Sequence, residues 1–264
     1  MNGLIIGKYI PIDSLIHRLD ARAKLLSMFF FIIIVFFANN FITYGVLFLF
    51  TIVTVLLSRV PLSYYIKGLK TIWLLALFTL LLHVFTNKEG PILFHLGWLE
   101  IHKEGIIQGI YISIRFFLLV SVTTLLTLTT NPIEITDGLE SLFHPFKRFG
   151  LPVHEMALMM SISLRFIPTL MEETEKIMKA QSSRGVDFSS GPIKERLRAL
   201  VSLLVPLFIH SFKRAEDLAV AMEARGYQGG EGRTKFRVMK WELRDTLCLI
   251  GLVLLLLLLL FLRK

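Results

Sequence analysis

The sequence has almost no cysteine and lacks a nucleotide-binding loop. Its 264 residues contain one cysteine, Cys248, which lies inside an apolar run. A single thiol excludes a disulfide framework within the chain and a cysteine-based metal site. The phosphate-binding pattern Gly-x-x-x-x-Gly-Lys-Ser/Thr is also absent. The chain therefore cannot bind ATP through a P-loop, and any ATP hydrolysis linked to it has to occur on another protein.

Charged residues are scarce too, and they are unevenly placed. They make up 19% of the chain, against about 25% in soluble proteins, while 54% of the residues are hydrophobic. Because the apolar residues are concentrated in long runs, the composition indicates a membrane protein that contacts the lipid bilayer. In such a protein a net charge of +9 is first an indicator of topology, and we predict no nucleic-acid partner.

Five apolar runs are predicted to cross the membrane as helices. The first and third contain 14 residues each, fewer than the roughly 20 that span the hydrocarbon core. We expect snorkelling basic side chains and packing within the bundle to absorb this difference. Asn39-Asn40 separates the first two runs as a tight helical hairpin. The runs are Leu25–Ala38, Phe41–Leu57, Ile72–Phe85, Ile106–Thr130 and Thr246–Leu262.

The loop charges predict the orientation of these helices. Residues 1–24 carry four basic residues, and the loop after the second run carries three basic residues and no acid. The loop after the third run mixes both signs. By the positive-inside rule the N-terminus is cytoplasmic, and the fourth run returns to the cytoplasm. The last run then places Arg263-Lys264 outside, which opposes the rule.

Residues 131–242 form a highly charged region before the last run, with 16 basic and 14 acidic residues. Two stretches within it, Val153–Lys179 and Arg196–Ala224, have apolar residues at steps of three and four, which predicts two long helices. Each stretch is apolar nearly all round in its first half and charged in its second half. We therefore predict an N-terminal membrane domain of four spans (1–130), a cytoplasmic region (131–242) and a C-terminal transmembrane helix (243–264).

Both predicted helices end in a small residue followed by Arg-Gly. Ser183-Arg184-Gly185 ends the first helix, and Ala224-Arg225-Gly226 ends the second, 41 residues further on. Glycine after a helix adopts a positive φ without strain, and the helix dipole favours a basic residue in the last turn, so each motif fits an ordinary cap. The motif also presents the donors of a guanidinium at an accessible helix end, which suits docking on carboxylates or carbonyls of a partner.

The opening segment of the chain resembles that of a known protein family, and this resemblance favours docking as the role of the two motifs. The segment Tyr9–Leu26, YIPIDSLIHRLDARAKLL, together with the two Arg-Gly motifs and the order of spans, resembles the EcfT family. These proteins are the transmembrane coupling subunits of energy-coupling factor (ECF) transporters. The resemblance extends over essentially the whole chain. It implies an all-α polytopic protein in a prokaryotic cell membrane, with about five transmembrane helices and with cytoplasmic coupling helices inserted before the last span.

The resemblance also implies partners and roles. Proteins of this family join two ATP-binding-cassette (ABC) ATPases to a small membrane subunit, the S component, which binds a vitamin or a metal ion. Carried over to this chain, Ser183-Arg184-Gly185 docks on one ATPase and Ala224-Arg225-Gly226 docks on the other. ATP-driven motion of the ATPases is then transmitted to the membrane part. The chain itself is expected to hold no catalytic residue, cofactor or metal.

Two other classes of function stay open at this point. An integral-membrane enzyme needs a polar cluster at membrane depth, and the predicted spans contain Arg115 and His83 but no paired carboxylates. Arg115 is either a functional residue within the bilayer or a side chain that snorkels to the outer interface. A self-sufficient secondary carrier needs two similar halves within the membrane, whereas the faint repeat of this sequence lies in residues 131–242. The spacing of His83, His95 and His102 matches no metal-ligand pattern.

Overall fold

The computed structural model describes residues 9–87, 89–96, 99–229 and 238–263. These residues are mainly helical, in agreement with the predicted all-α polytopic membrane fold. The helices are α1 (Ala21–Phe36), α2 (Phe41–Ser58), α3 (Leu62–Thr86), α4 (Lys103–Thr129), α5 (Pro132–Phe143), α6 (Val153–Ser183), α7 (Ile193–Ala224) and α8 (Leu243–Leu262). A 3-10 helix (His144–Phe149) follows α5, and strands β1 (Ile92–Leu96) and β2 (Leu99–His102) pair antiparallel between α3 and α4.

The described residues form two compact units. The first contains residues 9–142 and 238–263, and the second contains residues 143–229. Helix α5 therefore belongs almost entirely to the unit that contains the apolar helices. Its Gly138 lies against α1, where a Cβ atom would come within 3.0 Å of Leu25 Cδ1 and 3.4 Å of Ala21 Cβ. This close approach fixes α5 beside the first turn of α1.

The apolar helices of the first unit differ in how completely they can cross a bilayer. Helices α2, α4 and α8 are long and apolar enough to do so. Helix α3 consists of segments Leu62–Lys70 and Ile72–Thr86, which are bent by 46° and together make a fourth candidate. Helix α1 has 16 residues. Its length is about 24 Å, against about 30 Å of hydrocarbon, so its role as a span stays a prediction.

Two features between α2 and α4 were not predicted from the sequence. Helix α3 begins ten residues before the apolar run 72–85. Its first turns were not predicted because their polar residues interrupt the apolar run, although they are compatible with a helix. The β-hairpin was missed because its strands have only five and four residues, which is too short for a clear alternation of apolar and polar side chains.

The helices of the first unit enclose two clusters of buried apolar side chains. One joins α1, α2, α4 and α8, and its fully buried members include Phe31, Leu47 and Leu259. The other joins the end of α2 to α3 and α4 through residues such as Tyr65 and Leu125. Many side chains on the opposite faces are large, apolar and exposed, which is the pattern of helices that face lipid.

Polar contacts at its two ends show that α8 runs parallel to α1. At the start of α8, Asp245 is buried, and its Oδ1 accepts a hydrogen bond of 2.9 Å from the backbone N–H of Asp20. At the other end, the carbonyl of Arg263 accepts hydrogen bonds from the amides of Asn39 and Asn40, at 3.4 and 3.5 Å. The end of α8 therefore lies on the same side as the turn between α1 and α2. The order of spans predicts the same direction for the last helix, although it places Arg263 outside and so opposes the positive-inside rule.

The Asp-Ala-Arg-Ala-Lys segment of the opening motif organises the start of α1. The Asp20 carboxylate caps the helix by accepting from the Arg22 backbone N–H, at 2.9 Å, and it also pairs with the Arg22 guanidinium, at 2.9 Å. That guanidinium lies 5.6 Å from the ring centroid of Trp241, just before α8. Together with the Asp245 contact, these bonds tie the starts of α1 and α8 to each other.

Lys24 is a basic residue with only 6% of its surface exposed. Its ammonium donates hydrogen bonds to the carbonyl oxygens of His17 and Thr129, both at 3.0 Å. Thr129 is the last residue of α4, so Lys24 joins the opening segment and the first turn of α1 to the end of α4. The lysine therefore holds three parts of the first unit together.

We expect the variant Lys24→Met to unfold at a clearly lower temperature than the wild type. Methionine preserves the aliphatic stem but leaves two partly buried carbonyl oxygens without donors, at a cost of about 2 kcal/mol or more. The measurement is the midpoint temperature of the detergent-solubilised chain by size-exclusion chromatography after heating. Arg18→Met is the matched control, because Arg18 pairs with Asp13 in an exposed ion pair that solvent screens. Equal midpoints for the two variants would contradict the role of Lys24.

Candidate docking motifs at two helix ends

The first Arg-Gly motif forms the C-terminal cap of α6. Arg184 is the cap residue, and Gly185 follows it with a φ of +86°. The N–H of Gly185 donates to the carbonyl of Ser182, and the N–H of Val186 donates to that of Gln181, both at 3.0 Å. This pair of hydrogen bonds is the Schellman motif, which needs a left-handed residue directly after the cap.

The second motif closes α7 in the same way. Arg225 is the cap residue, and Gly226 has a φ of +74°. The N–H of Gly226 donates to the backbone carbonyl of Glu223, at 2.9 Å, and the N–H of Tyr227 donates to the backbone carbonyl of Met222, at 3.0 Å. A Cβ atom on either motif glycine would meet no atom within 4 Å, so the glycines are required by the positive φ and not by crowding. The two ends thus have one backbone geometry, 41 residues apart.

The motif residues are accessible to a partner. Ser183, Arg184, Ala224 and Arg225 are all exposed. Among the described residues, neither motif arginine donates a side-chain hydrogen bond or joins an ion pair within the chain. Each guanidinium therefore stands at a helix end with its donors unused. The structure places the six predicted residues at two separate helix ends, and their docking role stays a prediction.

The turn after the first motif is held by Asp187. Its carboxylate accepts hydrogen bonds from the hydroxyl of Ser190, from the backbone N–H and hydroxyl of Ser189, at 2.8 and 2.9 Å, and from the backbone N–H of Ser190, at 3.1 Å. These donors, the Ser190 hydroxyl first, lower the pKa of Asp187 below its usual value. The carboxylate is therefore ionised at neutral pH, and it closes the turn that leads from Arg184 towards α7.

Helices α6 and α7 pack antiparallel within the second unit. Near the middle of each helix, Arg214 of α7 pairs with Glu173 of α6, and the guanidinium lies 5.6 Å from the ring centroid of Phe166. Towards the end of α6, Gln181 donates a hydrogen bond of 3.2 Å to the carbonyl of Ser202, near the start of α7. The two Arg-Gly caps therefore lie at opposite ends of the helix pair. Since Gln181, near the first cap, lies beside Ser202, the distance between the two caps is close to the rise along α7 from Ser202 to Arg225. That rise is on the order of 35 Å.

The ion pair occupies equivalent positions of the faint repeat. Glu173 and Arg214 are 41 residues apart, which is the offset that relates the two caps. When residues at equivalent positions of two helices touch each other, an approximate two-fold axis passes between them. The ion pair was not predicted from the sequence, although opposite charges at the 41-residue offset of the repeat are a usable signal.

Arg115 has a structural environment within the first unit. Its Nη2 donates to the hydroxyl of Tyr44, at 2.9 Å, and to the carbonyl of Ala38, at 3.4 Å. The guanidinium also lies 5.3 Å from the ring centroid of Phe36. Arg115 thus joins α4 to the turn between α1 and α2, at the end where the sequence predicts the outer interface. Among the described residues, no group of three His, Cys, Asp or Glu side chains could hold a metal ion.

These observations define a class of protein: a polytopic membrane protein whose second unit carries two long antiparallel helices with exposed Arg-Gly caps. The model of the CbiQ family, described as "Cobalt transport protein", matches residues 13–236. The match includes both caps and all helices except α8.

Individual relatives are named more narrowly. The energy-coupling factor transporter transmembrane protein EcfT of Bacillus subtilis is 62% identical over 263 residues, which cover 100% of this chain and 99% of the relative. EcfT of Listeria innocua is 56% identical and EcfT of Streptococcus thermophilus is 50% identical, each over 264 residues and all of both chains. The chain therefore belongs to the EcfT family of energy-coupling transmembrane subunits of ECF transporters.

Proposed function

We propose that this chain transmits ATP-driven motion from two ABC ATPase subunits to a membrane subunit that binds a vitamin or a metal ion. The observation that carries the proposal is the pair of identical caps. Two helices of 31 and 32 residues end in the same Schellman geometry, each with an exposed arginine that has no partner among the described residues of its own chain. Two equivalent docking ends suit two similar partner subunits, one for each arginine.

The proposed docking step rests on the chemistry of arginine. A guanidinium offers five N–H donors in a rigid plane, which match carboxylates and carbonyls in a partner groove. Burial of the guanidinium against such acceptors makes its later loss costly, because the partner's acceptors are left without donors. The Gly residue after each arginine turns the chain sharply away, so that the helix end can enter a groove. Arg184 engages one ATPase and Arg225 engages the other.

The proposed transmission step uses the helix pair as two linked levers. ATP binding closes a pair of ATPase subunits, which changes the distance between the two sites that hold Arg184 and Arg225. Because α6 and α7 are continuous helices joined near their middle by Glu173 and Arg214, a displacement of their ends changes the angle at which they cross. The membrane helices and the substrate-binding subunit then respond to this change. ATP hydrolysis is assigned to the partners, since this chain has no P-loop.

The proposed orientation places the N-terminus and both caps on the cytoplasmic side. The basic residues before α1 and between α2 and α3 support it through the positive-inside rule. Because α8 runs parallel to α1, its end then faces the outside together with Asn39 and Asn40. In this arrangement residues 131–242 form the cytoplasmic region, and residues 1–130 and 243–264 form the membrane domain.

Reconstitution with candidate partners tests the proposal. The full chain is co-expressed with two ABC ATPases and a substrate-binding membrane subunit of the ECF type, purified by a tag on this chain, and placed in liposomes. We expect all partners to co-purify and the substrate to accumulate only when ATP is present on the side of the ATPases. Liposomes without this chain are the control. Substrate accumulation by this chain alone, or a failure of the ATPases to co-purify, would contradict the proposed function.

A further inference from the structure

The 3-10 helix near the start of the second unit, together with the last residue of α5, carries a row of three phenyl rings. A 3-10 helix has three residues per turn, so side chains at i and i+3 lie directly above one another. Phe143, Phe146 and Phe149 follow this spacing, and their ring centroids are 5.9 and 6.1 Å apart in sequence order. Lys147 and Arg148 lie between the second and third rings. We call these five residues the aromatic turn.

The aromatic turn is exposed along its whole length. The exposed fractions of its three phenylalanines are 50%, 45% and 82%, and both basic residues are exposed as well. A contiguous exposed apolar patch of this kind marks a surface that contacts another phase or molecule. The turn is also a closed local unit, because Gly150 ends it with a φ of +82° and donates a hydrogen bond of 3.1 Å to the carbonyl of Lys147.

The charges of the aromatic turn indicate what it contacts. None of the ion pairs between described residues includes Lys147 or Arg148, so both cations are available to an external anion. Aromatic rings beside basic residues are typical of segments at the membrane–water interface, where the rings enter the acyl boundary and the cations meet lipid phosphates. Basic side chains at such a position are attracted to the negative surface potential of an anionic membrane.

The position of the aromatic turn along the chain favours the same partner. It directly continues α5, and α5 begins two residues beyond the end of α4, a candidate membrane span. Helix α5 does not run away from the bilayer helices, because its Gly138 packs against Ala21 and Leu25 in the first turns of α1. The helix that directly precedes the 3-10 helix therefore packs beside the start of α1.

We propose that the aromatic turn anchors the start of the second unit to the bilayer surface. The three rings insert about 5–10 Å into the boundary between headgroups and acyl chains. Lys147 and Arg148 bind the phosphates of anionic phospholipids from the same side. The anchor does not depend on the docking role of the Arg-Gly caps. Its effect is to hold residues 143–149 at the membrane while the two helix ends are free to engage other proteins.

Spin-label accessibility in liposomes tests the anchor. The full chain with Cys248→Ser receives a label at His144→Cys, beside the rings, or at Gln228→Cys, an exposed control position after α7. The liposomes contain equal parts of phosphatidylglycerol and phosphatidylcholine. We expect the label at position 144 to collide several-fold more with oxygen, relative to a water-soluble nickel reagent, than the label at position 228. Equal ratios at the two positions would overturn the proposal.

Two further variants separate the rings from the charges. In Phe146→Ser/Phe149→Ser, we expect the label at position 144 to become accessible to the nickel reagent. The wild-type label at position 144 should insert more deeply in liposomes that contain phosphatidylglycerol than in liposomes of pure phosphatidylcholine. In Lys147→Gln/Arg148→Gln, we expect this difference in depth to disappear. If the charge variant retained that difference, the assignment of the phosphate contacts would be wrong. If the wild-type label were shielded only after addition of the ATPases and the substrate-binding subunit, the aromatic turn would be a protein interface.

Discussion

Charge reversal at both caps, Arg184→Glu with Arg225→Glu, is expected to abolish ATP-driven uptake and to leave the membrane unit folded. If the caps dock as proposed, each reversal removes five donors from the docked helix end and places a carboxylate against acceptors of the partner. Truncation of one member of a buried charge pair costs about 2–5 kcal/mol, so each motif alone should lose at least about 30-fold in affinity for its ATPase. The double variant has no remaining docking end.

Co-purification and uptake are both measured for this series. Each single variant should retain one ATPase more firmly than the other if the two ATPases differ, because the proposed docking assigns one ATPase to each arginine. Lys176→Glu is the matched control, since it reverses an exposed basic residue two turns before Arg184. Gly185→Ala and Gly226→Ala test the backbone separately, because alanine is strained at φ values of +86° and +74°. Normal ATPase binding and uptake by the double charge variant would refute the docking role, whereas membership of the EcfT family would be unaffected.

Exchange of the two charges of the Glu173–Arg214 pair is expected to restore part of the uptake that either single change removes. Glu173→Arg places two guanidinium groups in contact, and Arg214→Glu places two carboxylates in contact, in positions where the native side chains are only 22% and 31% exposed. Either variant should loosen the crossing and reduce uptake several-fold. The double exchange recreates the pair with reversed polarity, and a coupling of about 1–2 kcal/mol is expected for side chains in one ion pair. Recovery should be incomplete, because Arg214 also contacts Phe166.

The distance between the two caps distinguishes a specific effect of the Glu173–Arg214 pair from a general loss of stability. Labels at Ser182→Cys and Glu223→Cys occupy equivalent exposed positions two residues before each cap arginine, in a Cys248→Ala background. Pulsed electron paramagnetic resonance should give a narrow distribution for the wild-type pair, a broad one for each single charge variant, and a narrow one again for the exchange. A broad distribution in the exchanged variant, with ATPase binding retained, would show that the pair does not set the crossing.

Much of the candidate site could be predicted from local sequence. Apolar residues at steps of three and four identified both long helices, and the Arg-Gly dipeptides marked their ends within a residue of Arg184 and Arg225. Local signals suffice here because a helix end depends on the conformational freedom of one glycine and on hydrogen bonds within six residues. The β-hairpin and the full length of α3 were missed, since short strands and mixed polar turns carry weak periodic signals.

The amino-acid sequence alone established the class of the protein, its long apolar helices and its two Arg-Gly caps, because hydrophobicity and helix capping act over a few neighbouring residues. Only the tertiary structure decided the direction of α8, the burial of Lys24 and the contact between Glu173 and Arg214. These features join residues from 41 to more than 200 positions apart. Their free energies depend on which surfaces meet after folding, and no local pattern in the chain records that.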